Sequence, residues 1–263
     1  MRITVKYIES TDFVLLTISS FDEIQNKEKI CYLNCSGNQL TSLQGIENLT
    51  QLQELYCWSN QLSSLQGIEN LTQLQELNCQ SNQLVSLQGI ESLTQLRELT
   101  CSHNQLVSLQ EIENLIQLQK LDCTKNQLTS LQGIEKITQL RELNCPCNQL
   151  TSLQGIENLT QLQKLYCSYN QLTSLQGIEN FAQLRQLYCW NNQLTSLPNW
   201  LHFLPNLMHI ICDLKMPNSL QRILDRRQIK NNRTIYNDGQ NVHNSAVQES
   251  FRKSLICLFN DTC

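Results

Sequence analysis

A 22-residue unit recurs without insertion through most of this chain, and nothing else in the sequence restricts the fold as tightly. Its asparagine falls at Asn38, Asn60, Asn82, Asn104, Asn126, Asn148, Asn170 and Asn192. The copy from Leu52 to Gln73 reads L-Q-E-L-Y-C-W-S-N-Q-L-S-S-L-Q-G-I-E-N-L-T-Q. A unit this short cannot bury an apolar face alone, so its copies must stack and share one continuous core. Chain length therefore counts layers here, not domains.

Within the unit, apolar and polar positions alternate and then change period. Leu52, Leu55 and Cys57 fall on one side of a short strand, and Glu54, Tyr56 and Trp58 on the other. Stacked copies then form a parallel sheet with the second set outward. The asparagine ends each strand, where its amide can pair with backbone groups left open by the bend. Gly67 permits a tight turn. Ile68 and Leu71 are spaced as one face of a helical turn, which predicts 3₁₀ or short α structure on the convex side.

The frame L-x-x-L-x-C-x-x-N-x-L resembles the short, 22-residue class of leucine-rich repeats, over Ile30 to Asp213. Bacterial internalins and a nuclear regulatory subunit of protein phosphatase type one belong to that class. The resemblance implies an α/β solenoid: a right-handed superhelix, or horseshoe, with a parallel inner sheet. Cysteine stands where the class usually has its third strand leucine, in every copy.

Three segments follow. Residues 1–29 are apolar-rich and out of phase, which predicts an N-terminal cap with a strand or two. Residues 30–213 hold eight repeats and a longer ninth, in which Leu207, Ile210 and Cys212 restore the pattern one residue late. Residues 214–263 predict a C-terminal cap: a short helix from Ser219 to Arg227, a turn at Asp238-Gly239, and helical spacing from Asn244 onward. The stretch Tyr236 to Ser245 is similar to segments following leucine-rich arrays in proteins of giant DNA viruses of amoebae, which would place the protein in an infected host cell.

Thirteen cysteines suggest a disulfide framework until their phase is noticed. Cys35, Cys57, Cys79, Cys101, Cys123, Cys145, Cys167 and Cys189 share one inward strand position. In-register neighbours sit ~4.8 Å apart with parallel Cβ vectors, whereas a disulfide needs Cβ atoms ~3.8 Å apart and facing each other. A buried ladder of thiols is expected, in a reducing, intracellular compartment. The net charge of −4 gives no basic field for nucleic acid. No apolar run is long enough to cross a membrane, and the opening ten residues lack the apolar core of a secretory signal. A monomer is expected.

Comparison among the copies locates the variable positions. The frame barely changes, but three outward phases do. They read Asn34, Tyr56, Asn78, Thr100, Asp122, Asn144, Tyr166, Tyr188; then Ser36, Trp58, Gln80, Ser102, Thr124, Pro146, Ser168, Trp190; then Gly37, Ser59, Ser81, His103, Lys125, Cys147, Tyr169, Asn191. The convex glutamates (Glu47, Glu69, Glu91 and their equivalents) hardly vary. The concave face is therefore the expected ligand-binding surface. Tyr56 and Trp58 mark one aromatic patch, and Tyr166, Tyr169, Tyr188 and Trp190 a larger one. Glu76, Glu98, Asp122, Lys125 and Glu142 lie between them. Exposed tyrosine and tryptophan suit anchor positions because they bury much area with few rotors.

Catalysis has little support. No phosphate-binding loop, H-E-x-x-H or G-x-S-x-G motif is present, and the histidines (His103, His202, His209, His243) are scattered. Cys145-Pro146-Cys147 supplies too few ligands for a zinc site. The reading is a non-catalytic protein–protein interaction scaffold with a protein partner, no cofactor and no metal. Two alternatives stand beside it. One is a phosphatase-regulatory binder. The other is a ubiquitin-ligase-type effector, for which Cys257 and Cys263 are the candidate nucleophiles.

Overall fold

The computed structural model describes residues 1–214 and 217–232. Eleven strands form one sheet: β1 (Arg2–Tyr7), β2 (Phe13–Thr17), β3 (Ile30–Asn34), β4 (Glu54–Tyr56), β5 (Glu76–Asn78), β6 (Glu98–Thr100), β7 (Lys120–Asp122), β8 (Glu142–Asn144), β9 (Lys164–Tyr166), β10 (Gln186–Tyr188) and β11 (His209–Ile211). Among the described residues one α-helix, α1 (Asn218–Asn232), follows. From β3 to β11 the strands run parallel in sequence order, so the chain is a parallel-strand solenoid. The 22-residue phase appears directly as register: Leu55 pairs with Leu77, and Leu77 with Leu99. The ninth copy joins with Ile210 opposite Leu187, at the predicted one-residue delay.

The repeated leucines and isoleucines form one continuous buried cluster. The eight ladder cysteines lie in it, buried and free. Burial pushes the thiols of Cys35, Cys79 and Cys167 up to about 12. Geometry and burial, rather than the surroundings, keep these thiols unpaired with one another.

Each asparagine side chain stitches neighbouring turns together. Asn82 Nδ2 donates to the carbonyls of Cys57 and Cys79, both at 3.0 Å, while its Oδ1 accepts the Leu62 N–H at 3.0 Å. The bond pattern repeats along the array, for example at Asn126 and Asn170. At the first turn Asn38 makes the equivalent pair with the backbone of Arg2 in β1.

Two local expectations are corrected. The third variable phase is not a strand-face position. Ser59, Ser81, His103, Lys125, Cys147, Tyr169 and Asn191 all have φ between 53° and 56°, in the left-handed region. The chain must turn there to deliver the asparagine back into the stack. The convex side is also less helical than the Ile68–Leu71 spacing predicts. Most copies make successive i to i+3 turns, such as Leu71 N–H to Ile68 O at 2.9 Å. Within the eight-copy array, 3₁₀ helix forms at Gln110–Ile112, where Glu111 replaces the repeat glycine. At Gly67, Gly89, Gly133, Gly155 and Gly177 that glycine has φ of 103–108° and its N–H donates to a glutamate two residues on, as from Gly67 to Glu69 Oε2 at 2.8 Å.

The two ends differ from the middle. β1 runs antiparallel to β3, and β2 antiparallel to β1 on the outer edge. At the other end a 3₁₀ turn, Asn199–Phe203, leads into β11, and α1 buries Leu220 and Leu224. Arg227 donates to the carbonyls of Leu204 and Leu207 at 2.7 and 2.9 Å. The helix begins before Ser219 and runs past the predicted end at Arg227. The predicted turn at Asp238-Gly239, the helical run from Asn244, the Tyr236 to Ser245 stretch, Cys257 and Cys263 lie outside the described residues.

Candidate functional site

The concave face carries two main columns of side chains, because alternate strand residues face the same way. The first column runs Tyr32, Glu54, Glu76, Glu98, Lys120, Glu142, Lys164, Gln186 and His209, and the second Asn34, Tyr56, Asn78, Thr100, Asp122, Asn144, Tyr166 and Tyr188. Neighbours along a column sit one strand spacing apart, which sets up the contacts.

At the N-terminal end the aromatic patch is larger than the sequence suggested. Tyr32 packs on Tyr56 at 5.3 Å between ring centroids, and Phe13 of β2 meets Tyr32 edge-on at 4.9 Å. Lys6 Nζ sits 5.5 Å from the Phe13 ring centre. Tyr56 Oη donates to Glu76 Oε1 at 2.7 Å and to Glu54 Oε2 at 3.2 Å. Burial, then these carboxylates, push the Tyr56 hydroxyl well above the usual phenol range. Trp58 stands 43% exposed beside them. Phe13 and Tyr32 escaped the sequence reading because the hairpin that brings Phe13 in lies outside the repeat. Tyr32 could have been found, since it occupies the glutamate column one copy earlier.

The middle is charged and internally paired. Lys120 Nζ bonds Glu98 Oε1 at 2.8 Å, and Lys164 Nζ bonds Glu142 Oε2 at 2.9 Å. The hydrogen bond to Glu98 raises the Lys120 pKa. Asp122 is half-buried, accepts the Thr124 N–H at 2.9 Å, and has its carboxyl pKa raised by burial. Lys125 belongs to the left-handed turn. Next to it, burial and then the Lys125 charge lower the pKa of His103.

The C-terminal patch corrects an expectation. Tyr188 and Trp190, read as exposed anchors, are only 8% and 6% exposed. Their rings spend their surface on neighbours. Tyr188 stacks on Tyr166 at 4.6 Å with 12° between planes, and Trp190 meets Tyr169 edge-on at 4.4 Å. Tyr166 Oη also donates to Gln186 Oε1. Tyr166 and Tyr169 keep partial exposure. The structure thus brings Tyr56 and Glu76 into contact, and Tyr166 and Tyr188, while the two patches stay at opposite ends of the sheet.

A family model for the leucine-rich repeat region matches residues 13–221. The chain belongs to that family. Among solved structures, this leucine-rich repeat protein is similar to internalin C2 of Listeria monocytogenes, at 25% identity and a TM-score of 0.69, over 71% of this chain and 82% of that one. A second internalin of that species, InlF, shares the fold at 23% identity and a TM-score of 0.59, over 76% and 72% of the two chains. No curated protein matches. Family membership and these neighbours make the chain, in general terms, a protein-interaction scaffold. Among the described residues no helix is long and apolar enough to cross a membrane, and no group of three or more His, Cys, Asp or Glu side chains is placed to hold a metal ion.

Proposed function

We propose that the concave face binds a protein ligand, without catalysis, through an aromatic patch at each end. The observation that supports this is where the copies differ. The convex glutamates Glu69, Glu91, Glu135, Glu157 and Glu179 have a structural reason to stay constant, because their carboxylates accept the repeat glycine N–H. The exposed glutamines are a better one. Gln61, Gln83, Gln105, Gln127, Gln149 and Gln171 are exposed in every copy, have no side-chain hydrogen bond among the described residues, and have not drifted. Concave positions vary from tryptophan to serine and from tyrosine to aspartate over the same duplications. Variation on that half-buried face, against constancy at the more exposed glutamines, is what selection for a particular ligand would leave.

Trp58 is the anchor to test, since Tyr188 and Trp190 are held in ring stacks whose loss would disturb the fold. The wild-type chain, Trp58→Ala and the control Gln127→Ala would serve as baits in a eukaryotic cytosolic extract. The recovered partner would then be titrated. Truncating an anchor costs about 2 kcal/mol, or roughly 30-fold in affinity. Wild type and Gln127→Ala should bind alike and Trp58→Ala weakly. Equal recovery with all three baits removes this end of the concave face from the site.

A further inference from the structure

β2 forms one edge of the sheet. β2 pairs with β1 on one side and with nothing among the described residues on the other. Its run Phe13-Val14-Leu15-Leu16-Thr17 contains no charge and no proline. Phe13 is 57% exposed, Val14 38% and Leu15 67%. Edge strands are ordinarily protected by lysine, proline or a bulge, because their open N–H and C=O groups template pairing. The terminal layer of a solenoid likewise needs a polar outer face. β2 has neither protection.

The backbone specifies what fits there. Met1 and Ile18 exchange both hydrogen bonds, Met1 N to Ile18 O and Ile18 N to Met1 O, so Ile18 faces β1. In an antiparallel pair, inward and outward backbone groups alternate. The register of β1 with β2 then turns Leu16 and Val14 toward β1, opposite Ile3 and Val5. Phe13, Leu15 and Thr17 turn their N–H and C=O groups to the open edge. This outward set is symmetric about Leu15. A two-fold axis through Leu15 places Leu15 opposite Leu15, and Phe13 opposite Thr17, with every donor facing an acceptor. Asp12 then falls opposite Ile18, so no like charges meet.

We propose that this edge pairs with β2 of a second copy of the chain, giving a closed two-fold dimer with a continuous sheet. This departs from the monomer expected from the sequence. The dyad of an antiparallel strand pair stands perpendicular to the sheet, so both concave faces open on the same side. The Phe13, Tyr32 and Tyr56 patches of the two copies become neighbours. A closed two-fold contact uses up both edges, so assembly stops at two.

Sedimentation equilibrium of the full chain at about 100 μM, where even micromolar self-association is populated, tests this. Wild type should run at twice the 30.4 kDa chain mass. Leu15→Pro removes an outward N–H and leaves the bonds to β1 in place, so it should run at the single mass with its melting temperature kept. Should the proline variant fail to fold, Leu15→Lys places a charge on the dyad at an exposed position and should likewise be single. Three results overturn the proposal: wild type at the single mass, wild type as an open series of larger species, or a folded variant that stays dimeric.

Discussion

Replacing Asn126 by alanine tests the asparagine ladder quantitatively. Asn126 is 9% exposed. Its Oδ1 accepts the Leu106 N–H at 2.9 Å, and its Nδ2 donates to the carbonyls of Cys101 at 3.2 Å and Cys123 at 3.0 Å. Nδ2 also donates to Thr124 O at 3.3 Å, which keeps the His103 N–H at 2.8 Å, and the four partners do not suffer equally. Cys101 O keeps a second donor in Asn104 Nδ2 at 3.1 Å, and Cys123 O keeps Asn148 Nδ2 at 3.0 Å. The Leu106 N–H has no substitute and is left orphaned in the core. An orphaned buried donor costs about 1–3 kcal/mol, and each weakened carbonyl contact up to about 1 kcal/mol more. The sum is about 3 kcal/mol. Asn38→Ala is the internal control. Asn38 also holds a backbone N–H, that of Arg2, but Arg2 is exposed and Asn38 only half-buried, so water can take over the lost bond and the cost there should stay near 1 kcal/mol or below. Asn126→Asp sharpens the test. It retains the acceptor for Leu106 but turns a carboxylate oxygen onto three carbonyls, so it should cost more than alanine. Urea unfolding followed by far-UV circular dichroism measures all three. The account is refuted if Asn126→Ala costs no more than Asn38→Ala, or if the aspartate variant is the milder of the two.

Two further perturbations probe other parts of the frame. Gly133→Ala should destabilise by about 3 kcal/mol or more, since its Cβ would lie 2.2 Å from Leu109 O at φ +108°. Gly67→Ala, with its nearest contact at 3.4 Å, should cost only about 1–2 kcal/mol in the same assay; equal costs would deny the close approach of Gly133 to Leu109. The thiol ladder predicts alkaline lability. Unfolded thiols lose protons near 9.0, whereas Cys35, Cys79 and Cys167 hold theirs to about 12 when folded. Stability is therefore full below pH 9 and falls as pH rises toward 12. The urea midpoint should be lower at about pH 10.5 than at about pH 8, and an unchanged midpoint would contradict the burial of the ladder.

Much of the molecule was legible because a repeat fixes its own neighbours. Once Leu55 is known to stack on Leu77, Cys57 must stack on Cys79 and Asn60 on Asn82. The parallel sheet, the thiol ladder and the late ninth strand all follow from the sequence and the 22-residue phase. Where the period fails, elements can still be expected, as the strands within residues 1–29 and the helix about Ser219 were, but their side-chain contacts cannot. The β1–β2 hairpin carries no repeat, so the meeting of Phe13 with Tyr32 and the open edge about Leu15 were hidden. Within the repeat, phase says which way a side chain starts but not what its end will touch. Tyr188 falls in a concave column by its register, yet contacts between rings bury it and Trp190, and the third variable phase is a left-handed turn because the asparagine must be returned to the stack. The sequence by itself determined the layers and their register, since these depend on spacing alone. The tertiary structure decided which concave groups remain free to bind, since that depends on contacts between side chains of different copies.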